Sequence, residues 1–255
     1  MAEKAKKPKI AVFDLTDCEG CELQFVALRE KLSSFFDKVE IVNWRLLAQS
    51  KAAGPFDITF VEGVPVSKSE VESLKRIRKQ SKYLIALGAC ACTGGVNALV
   101  EQKDRKKLTE YVYSKDYKPR AVDAKPLNYY VDVDLYLNGC PVNPHEIERV
   151  ISSLLAGRKP EPRPYPVCLE CKAAGNECLL QKGEPCLGPV TAGGCEALCT
   201  SRGFACFGCW GPVKQANIGA MVKTLEKIIG PEETKKRLAV FFRQTKEYKD
   251  YYGDK

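Results

Sequence analysis

The chain has 255 residues, enough for one large domain or two modest ones, and its 45% hydrophobic and 28% charged content excludes a disordered chain. No apolar run approaches the roughly 18 residues of a membrane span, and the opening MAEKAKKPKI contains no apolar signal core, so we expect a cytoplasmic protein. The net charge of +8 comes from scattered Lys and Arg residues without an aromatic platform, which favours a solvated basic surface over nucleic-acid binding.

Strand and helix signals alternate along the first 157 residues. Short apolar runs rich in β-branched residues predict strands at residues 9–15, 39–44, 57–63, 83–90 and 134–140. Helical patterns predict helices at residues 21–36, 67–81 and 143–157. This alternation predicts an α/β fold in which helices cover both faces of a mainly parallel sheet.

Two of the predicted helices carry recognisable end signals. Ser67 is followed three residues later by Glu70, which is a capping-box pattern. Asn143 or Pro144 opens the last of these helices, and Gly157 ends it.

The pattern changes at RKPEPRPYPV, residues 158–167, where four prolines in ten residues exclude a helix or a central strand and indicate a linker. The 42 residues from Cys168 to Cys209 then hold eight cysteines. This segment has too few large apolar residues for a core of its own, so we expect bound metal clusters to hold it together. A helical pattern over about residues 215–229 and a charged tail follow.

Thirteen cysteines stand against a single histidine. Because cytosolic thiols stay reduced, a set this dense favours metal binding over disulfides, and the odd number leaves one cysteine over. Five of them follow the predicted strands: Cys18, Cys21, Cys90, Cys92 and Cys140. The carboxyl ends of parallel strands form a crevice where ligands bind, so four of these five thiolates would suit one cluster.

The remaining cysteines follow the pattern C-x2-C-x6-C-x7-C and then C-x3-C-x6-C-x2-C. Two sets of four soft thiolates suit zinc or iron–sulfur clusters. With the first set, they use twelve of the thirteen cysteines. The two sets are Cys168, Cys171, Cys178 and Cys186, and Cys195, Cys199, Cys206 and Cys209.

The spacing favours iron–sulfur clusters over zinc, and zinc over disulfides, without deciding among them. Structural zinc usually takes two close ligand pairs in a small finger, whereas the first set comes from three separate loops of a sheet. A thioredoxin-like redox pair is the alternative for Cys18 and Cys21, but it leaves ten or more cysteines unexplained.

The motifs DCEGCE, VEGVPV, LGACACTGG and NGCPVNP, together with the eight-cysteine segment, resemble the small, electron-transferring subunit of nickel–iron hydrogenases over nearly the whole chain. The likeness is particularly to cytoplasmic, multi-subunit hydrogenases of archaea, including the sulfhydrogenases. It implies a flavodoxin-like domain at residues 1–157 that holds a proximal 4Fe–4S cluster. A cysteine-rich domain at residues 158–212, built around medial and distal 4Fe–4S clusters, and a helix and tail at 213–255 would follow.

The resemblance also implies which cysteine binds which cluster. The frame Gly88-Ala89-Cys90 with Gly94-Gly95 fits the family pattern and makes Cys92 the spare residue. The implied ligands are Cys18, Cys21, Cys90 and Cys140 for the proximal cluster, Cys195, Cys199, Cys206 and Cys209 for the medial cluster, and Cys168, Cys171, Cys178 and Cys186 for the distal cluster.

Three positions depart from patterns common in the family. Val142 replaces the second proline of Gly-Cys-Pro-Pro but leaves the ligand in place. Cys168 stands where many relatives have histidine, which implies four thiolates at the distal cluster. Cys199 falls close to the proline of three-iron medial clusters, which implies a full four-iron cluster here.

The implied function is an electron relay. The chain shows no residues for a nickel site, so hydrogen would be split in a separate nickel–iron large subunit, and this chain alone would have no hydrogenase activity. Electrons would pass through the three clusters to a flavin-containing partner that reduces NAD(P) or another soluble acceptor, with further iron–sulfur subunits in the complex. Glu62 would face the large subunit or a proton path, or else be an ordinary surface carboxylate.

Two rival functions remain. A quinone-reductase subunit of respiratory complex I shares the fold, but that relative has adjacent tandem cysteines and lacks the eight-cysteine segment. A zinc-stabilised structural or nucleic-acid-binding protein is the alternative from another class. The lone His145 follows Pro144 at a helix start and is expected to be a cap or surface residue rather than a ligand.

Overall fold

The computed structural model describes residues 7–28, 37–47, 53–100, 102–114, 116–117 and 121–253. Its centre is a sheet of five strands, all paired in parallel, in the order β2-β1-β3-β4-β5. This is the strand order of flavodoxin-like folds, so the predicted α/β architecture with a parallel sheet is confirmed. The strands are β1 (Lys9–Asp14), β2 (Glu40–Asn43), β3 (Phe56–Glu62), β4 (Ser81–Leu87) and β5 (Leu135–Leu137).

The helices connect the strands and extend the chain beyond the sheet. Residues 29–36 of the predicted helix 21–36 lie outside the described residues. The helices are α1 (Leu23–Val26), α2 (Lys68–Gln80), α3 (Gly88–Thr93), α4 (Gln102–Val112), α5 (Pro144–Leu155), α6 (Val167–Ala173), α7 (Ile218–Phe242) and α8 (Lys246–Tyr252). Short 3-10 turns are Gly95–Ala98, Leu127–Tyr129, Gly188–Val190 and Thr200–Arg202.

Both predicted helix starts are confirmed. The Ser67 side chain accepts a hydrogen bond from the backbone N–H of Glu70 at 3.2 Å and so caps α2. The Asn143 side chain accepts from the N–H of His145 at 2.9 Å and caps α5, with Pro144 in the first turn. The exposed helix α4 has no counterpart among the predicted elements, because its described side chains are mostly solvent-facing and give no apolar periodicity.

The two faces of the sheet bury separate apolar clusters. On one face the ring of Phe25 lies 5.4 Å from that of Trp44 and 5.2 Å from that of Phe60, measured between centroids. On the other face Leu74 of α2 packs in a cluster with Val61 of β3. Fully burying one such side chain stabilises the fold by about 1.5–3 kcal/mol, so this region is held by an ordinary hydrophobic core.

The cysteine-rich segment has a different core. Leu187 and Val190 pack in one cluster with Leu225, Leu238 and Phe242 of α7. The α7 helix thus supplies most of the apolar side chains that the segment lacks, and the expectation that metal clusters hold the segment together stays a prediction. In the described ranges, no helix is both long enough and apolar enough to cross a bilayer.

The helix predicted at about residues 215–229 begins at Ile218, capped by the Asn217 side chain, which accepts from the Ala220 N–H at 2.9 Å. It continues further than predicted. Gly230 has φ 76° and ψ 167°, outside the helical region, and Pro231 follows it, so the chain kinks there before the helix runs on to Phe242.

Candidate metal centres

The first group of cysteines lies at the carboxyl ends of the strands. Cys18 and Cys21 follow β1, Cys90 lies on α3 just beyond β4, and Cys140 follows β5. Burial raises the pKa of the Cys90 thiol to about 12, and the next causes are repulsion from Cys140 and then Cys18. Burial is the largest cause that raises the pKa of Cys21, repulsion from Glu62 comes next, and repulsion from Cys140 is a smaller cause. The structure thus brings these four predicted ligands to one crevice.

Glycines around this crevice leave room that side chains would fill. Gly88 has φ 81°, and a Cβ built there would lie 2.3 Å from the Cys21 Sγ. A Cβ on Gly95 would lie 3.1 Å from the Cys90 Sγ. The first contact is impossible for a real side chain, so the sequence needs glycine for a thiol to occupy this space. The predicted strand 83–90 ends at Leu87 because Gly88 turns the chain into α3.

Glu62 shapes the loop that carries two of the thiols. The carboxylate lies at the end of β3, is only 2% exposed, and accepts from the Cys21 N–H at 3.0 Å and the Glu22 N–H at 2.7 Å. Burial raises the pKa of Glu62 to about 7, against the lowering effect of these bonds. The interpretation of Glu62 as a surface carboxylate is wrong: the side chain is buried and fixes the backbone of the C-x-x-C turn.

A second buried carboxylate, that of Glu22, lies near Glu62. The local sequence gives little indication that Glu22 is buried. Glu22 is fully buried, and its Oε2 accepts from the Trp44 Nε1–H at 2.9 Å. Burial is the main cause that raises the pKa of Glu22 to about 7. The only sign in the sequence was that Glu22, a charged residue, lies in the apolar stretch after Cys21. Helical periodicity alone does not tell whether such a residue is buried.

The side chain of Cys92 contacts an apolar cluster and not the thiols of this crevice. Its thiol is buried in the apolar cluster with Leu74 and Leu84, and its Sγ donates to the carbonyl oxygen of Ala86 at 3.4 Å. This is the environment of an inert structural thiol.

The second group surrounds a cavity of about 500 Å³. The medial ligands that the resemblance implies all line it: Cys195, Cys199, Cys206 and Cys209. Cys140 of the first group lines the same cavity, so the two groups share a wall. Burial, the largest cause, raises the pKa of Cys209 to about 12.

The third group lies around Cys168. Burial raises the pKa of Cys168 to about 11, followed by repulsion from Cys186, Cys171 and Cys178, so the four thiols lie near one another. A Cβ on Gly188 would lie 3.2 Å from the Cys168 Sγ and 3.5 Å from the Cys186 Sγ. Glycine here again leaves space beside thiols.

The three groups adjoin one another. Cys140 lines the same cavity as Cys209, which connects the first group to the second. The Cys206 N–H donates to the Cys186 Sγ at 3.3 Å, which connects the second group to the third. All thirteen cysteines are free thiols. Within the described ranges, no three His, Cys, Asp or Glu side chains are gathered closely enough to hold a single metal ion.

The lone histidine takes part in none of these groups. His145 is exposed in the first turn of α5, and its Nδ1 lies 2.8 Å from the Glu196 Oε1. This agrees with its interpretation as a surface residue.

Comparison of the sequence with known proteins finds one family model and several hydrogenase subunits. Residues 18–154 match the family model described as NADH ubiquinone oxidoreductase, 20 kDa subunit. The chain is similar to sulfhydrogenase 2 subunit delta of Pyrococcus furiosus, with 39% identity over 237 residues that cover 92% of this chain and 99% of that protein. It is 30% identical to a subunit of the vhu F420-non-reducing hydrogenase of Methanocaldococcus jannaschii, over 83% of this chain and 85% of that protein.

Among solved structures, a chain of an NAD+-reducing NiFe-hydrogenase superposes with a TM-score of 0.53 and 29% identity, over 61% of this chain and 95% of that one. These relatives are hydrogenase subunits, so the chain is part of an oxidoreductase complex. The chain belongs to the NADH ubiquinone oxidoreductase 20 kDa subunit family and, within it, to the small subunits of nickel–iron hydrogenases. The complex I alternative shares the family, but these relatives are hydrogenase subunits.

Proposed function

We propose that this chain holds three 4Fe–4S clusters and relays electrons between the nickel–iron site of a large subunit and a flavoprotein partner. The observation that carries the proposal is the contiguity of the three thiol groups: Cys140 shares a cavity with the second group, and the Cys206 N–H donates to the Cys186 Sγ of the third. Bound clusters would supply one-electron transfer at each group. The residues of this chain supply the ligands, the spacing and the surroundings.

The residues fit such groups. Each group offers four thiols, and the glycines at Gly88 and Gly188 keep space beside the sulfurs that any side chain would occupy. Burial raises the pKa of Cys90 and Cys168, so these thiols hold their protons unless a cation replaces them. Iron bound as a cluster provides that positive charge.

We assign the ligands as the resemblance implies. They are Cys18, Cys21, Cys90 and Cys140 for the proximal cluster, Cys195, Cys199, Cys206 and Cys209 for the medial cluster, and Cys168, Cys171, Cys178 and Cys186 for the distal cluster. The thiol of Cys92 stays outside, since it is buried among apolar side chains.

The two ends of this relay face different partners in the proposal. Beside the proximal crevice, Leu23 and Val26 are about half exposed, at 53% and 47%, which supports cover by a large subunit. At the other end Cys178 is exposed, which supports access for a flavoprotein. The names of the relatives refer to different electron acceptors. We propose NAD(P) as the acceptor here, in a cytoplasmic complex with further iron–sulfur subunits.

Iron and acid-labile sulfide analysis of the anaerobically purified complex tests the cofactor assignment. Three sets of four ligands predict about twelve irons and about twelve sulfides in this chain. A stable value near eight would remove one cluster. Zinc in place of iron, in a colourless chain, would support the zinc-protein alternative instead.

Kinetics test the direction of the relay. Cys178→Ser should slow reduction of the acceptor more than it slows hydrogen–deuterium exchange, which needs only the nickel–iron centre. Cys92→Ser is the matched control, because it changes a cysteine outside the proposed ligand sets. Equal slowing of both rates in an intact Cys178→Ser complex would contradict the distal assignment.

A further inference from the structure

A positive charge lies at the junction between the second and third thiol groups. Arg237 belongs to the part of α7 beyond the kink at Gly230. Its Nη2 donates to the carbonyl oxygen of Cys206 at 3.4 Å and to that of Ala205 at 3.5 Å. Its guanidinium carbon lies 3.3 Å from the centre of the Phe207 ring. Two carbonyls and one ring therefore fix the position of the cation.

The cation lies beside one cysteine from each group. Arg237 binds the carbonyl of Cys206, whose N–H donates to the Cys186 Sγ at 3.3 Å, and the two cysteines are 7% and 6% exposed. The other charge that acts on Arg237 is the exposed Glu184. In the described part of the chain, no carboxylate forms an ion pair with Arg237, so its charge is not cancelled by a direct partner.

The hydrogen-bonding of Arg237 is incomplete. Its Nε is buried and has no hydrogen-bond partner among the residues that the structure describes. An arginine that served packing alone would be expected to satisfy all its buried donors, because an unmet buried donor costs about 1–3 kcal/mol. The side chain therefore offers both an uncancelled charge and a spare N–H beside the two thiol groups.

We propose that Arg237 raises the reduction potentials of the two clusters that Cys206 and Cys186 would ligate, an inference that rests on the proposed function. Reduction adds one electron from the preceding carrier to a cluster and breaks no bond. The guanidinium gains and loses no proton, so its charge is the same before and after. Because the reduced cluster is more negative by one charge, the cation stabilises the reduced state more than the oxidised state.

The consequence is directional. No such cation acts on Cys21, Cys90 or Cys140 of the first group among the described residues, where the charged neighbours include Glu62 and Asp17. The second group also has a carboxylate beside it, since the Cys195 thiol donates to the Glu170 Oε2 at 3.9 Å. The difference is therefore the guanidinium at the junction, which favours electrons on the second and third groups. Arg237 acts on the distribution of electrons among the clusters through its charge, and it contacts no substrate.

The test is an electron paramagnetic resonance redox titration of the intact, anaerobically purified complex, with dithionite as reductant. Arg237→Gln should lower the equilibrium constant for reduction of the medial and distal clusters about tenfold, which for one electron is about 59 mV. Arg237→Lys keeps the charge and should stay within about threefold of the parent. The matched control is Lys236→Gln, which removes the adjacent charge from a side chain that is 69% exposed, and it should cause no shift.

The outcomes separate charge from packing. Unchanged potentials in an iron-replete Arg237→Gln complex overturn the inference. Equal shifts in the Gln and Lys variants also overturn it, since they would report loss of the guanidinium stack on Phe207. If Arg237→Gln loses iron, Glu184→Lys takes its place. That variant reverses a charge that acts on Arg237 but is exposed and partly screened, so it should raise the same equilibrium constants about threefold, and no rise would overturn the inference.

Failure of the proposed function can be distinguished from failure of the Arg237 inference. If the parent complex itself holds no iron in this chain, both the relay and the inference fall. If the parent holds its clusters and only the Arg237 variants behave otherwise than expected, the relay stands and the role of Arg237 is wrong.

Discussion

The sheet region and the cysteine-rich region hold thiols in different ways. The first group sits on the ends of strands whose two faces bury complete apolar clusters, so the crevice is shaped by a hydrophobic core. The second and third groups sit on the short helix α6 and on loops and turns, and this segment shares its core with α7. This difference teaches that a hydrophobic core of its own organises one region, whereas the other relies on a helix distant in the sequence and, in our proposal, on bound clusters as well.

Iron removal should separate the two regions most strongly. In the complex stripped of iron, amide hydrogen exchange across residues 168–209 should accelerate about a hundredfold or more, because bound metal contributes folding free energy to such segments. Amides of β1, β3 and β4 serve as the internal control and should change little. Equal acceleration in both regions would contradict the comparison.

The shared core gives the next largest effect. Leu238 is fully buried between α7 and the cysteine-rich segment, so Leu238→Ala should cost about 2–5 kcal/mol and lower the iron content of the medial and distal groups. Leu74→Ala is the matched control, since Leu74 is equally buried but packs on the sheet. Denaturant unfolding and iron analysis measure both. The prediction fails if the two variants lose the same share of medial and distal iron.

A smaller effect is expected at Glu62. Glu62→Gln keeps the shape but leaves an amide N–H2 facing one of the two backbone N–H donors, of Cys21 or Glu22, at a cost of about 1–3 kcal/mol. The proximal resonance signal should broaden or weaken while the distal signal stays. Glu72→Gln, at an exposed position of α2, is the control and should change neither. A normal proximal signal in Glu62→Gln would show that the turn does not need this carboxylate.

The smallest effect is expected at the thirteenth cysteine. Cys92→Ser places a hydroxyl in an apolar cluster and should cost about 1–2 kcal/mol, yet the proximal resonance signal should persist. Cys90→Ser, two residues away, should abolish that signal. Electron paramagnetic resonance spectra of the two reduced variant complexes test this. If Cys92→Ser loses the proximal signal and Cys90→Ser keeps it, Cys92 is the ligand and Cys90 is not.

Local signals in the sequence predict most of the elements of the sheet domain. The runs at residues 9–15 and 57–63 form β1 and β3 within a few residues, and Ser67 and Asn143 cap α2 and α5 as predicted. The α4 helix is missing from the prediction because an exposed helix leaves no apolar stripe. The continuation of α7 beyond Gly230 is missing because a Gly-Pro pair is locally typical of a helix end.

By itself, the sequence determined the α/β alternation and the parallel sheet, since these are encoded in residues close together along the chain, whereas the grouping of the cysteines into ligand sets stays a prediction. Only the tertiary structure decided what lies beside the thiols. Glu62 reaches the Cys21 amide from 41 residues away, and Arg237 reaches the Cys206 carbonyl from 31 residues away. Such contacts depend on how strands and helices pack, and no local pattern of residues specifies which carboxylate or guanidinium a packed chain brings to a given thiol.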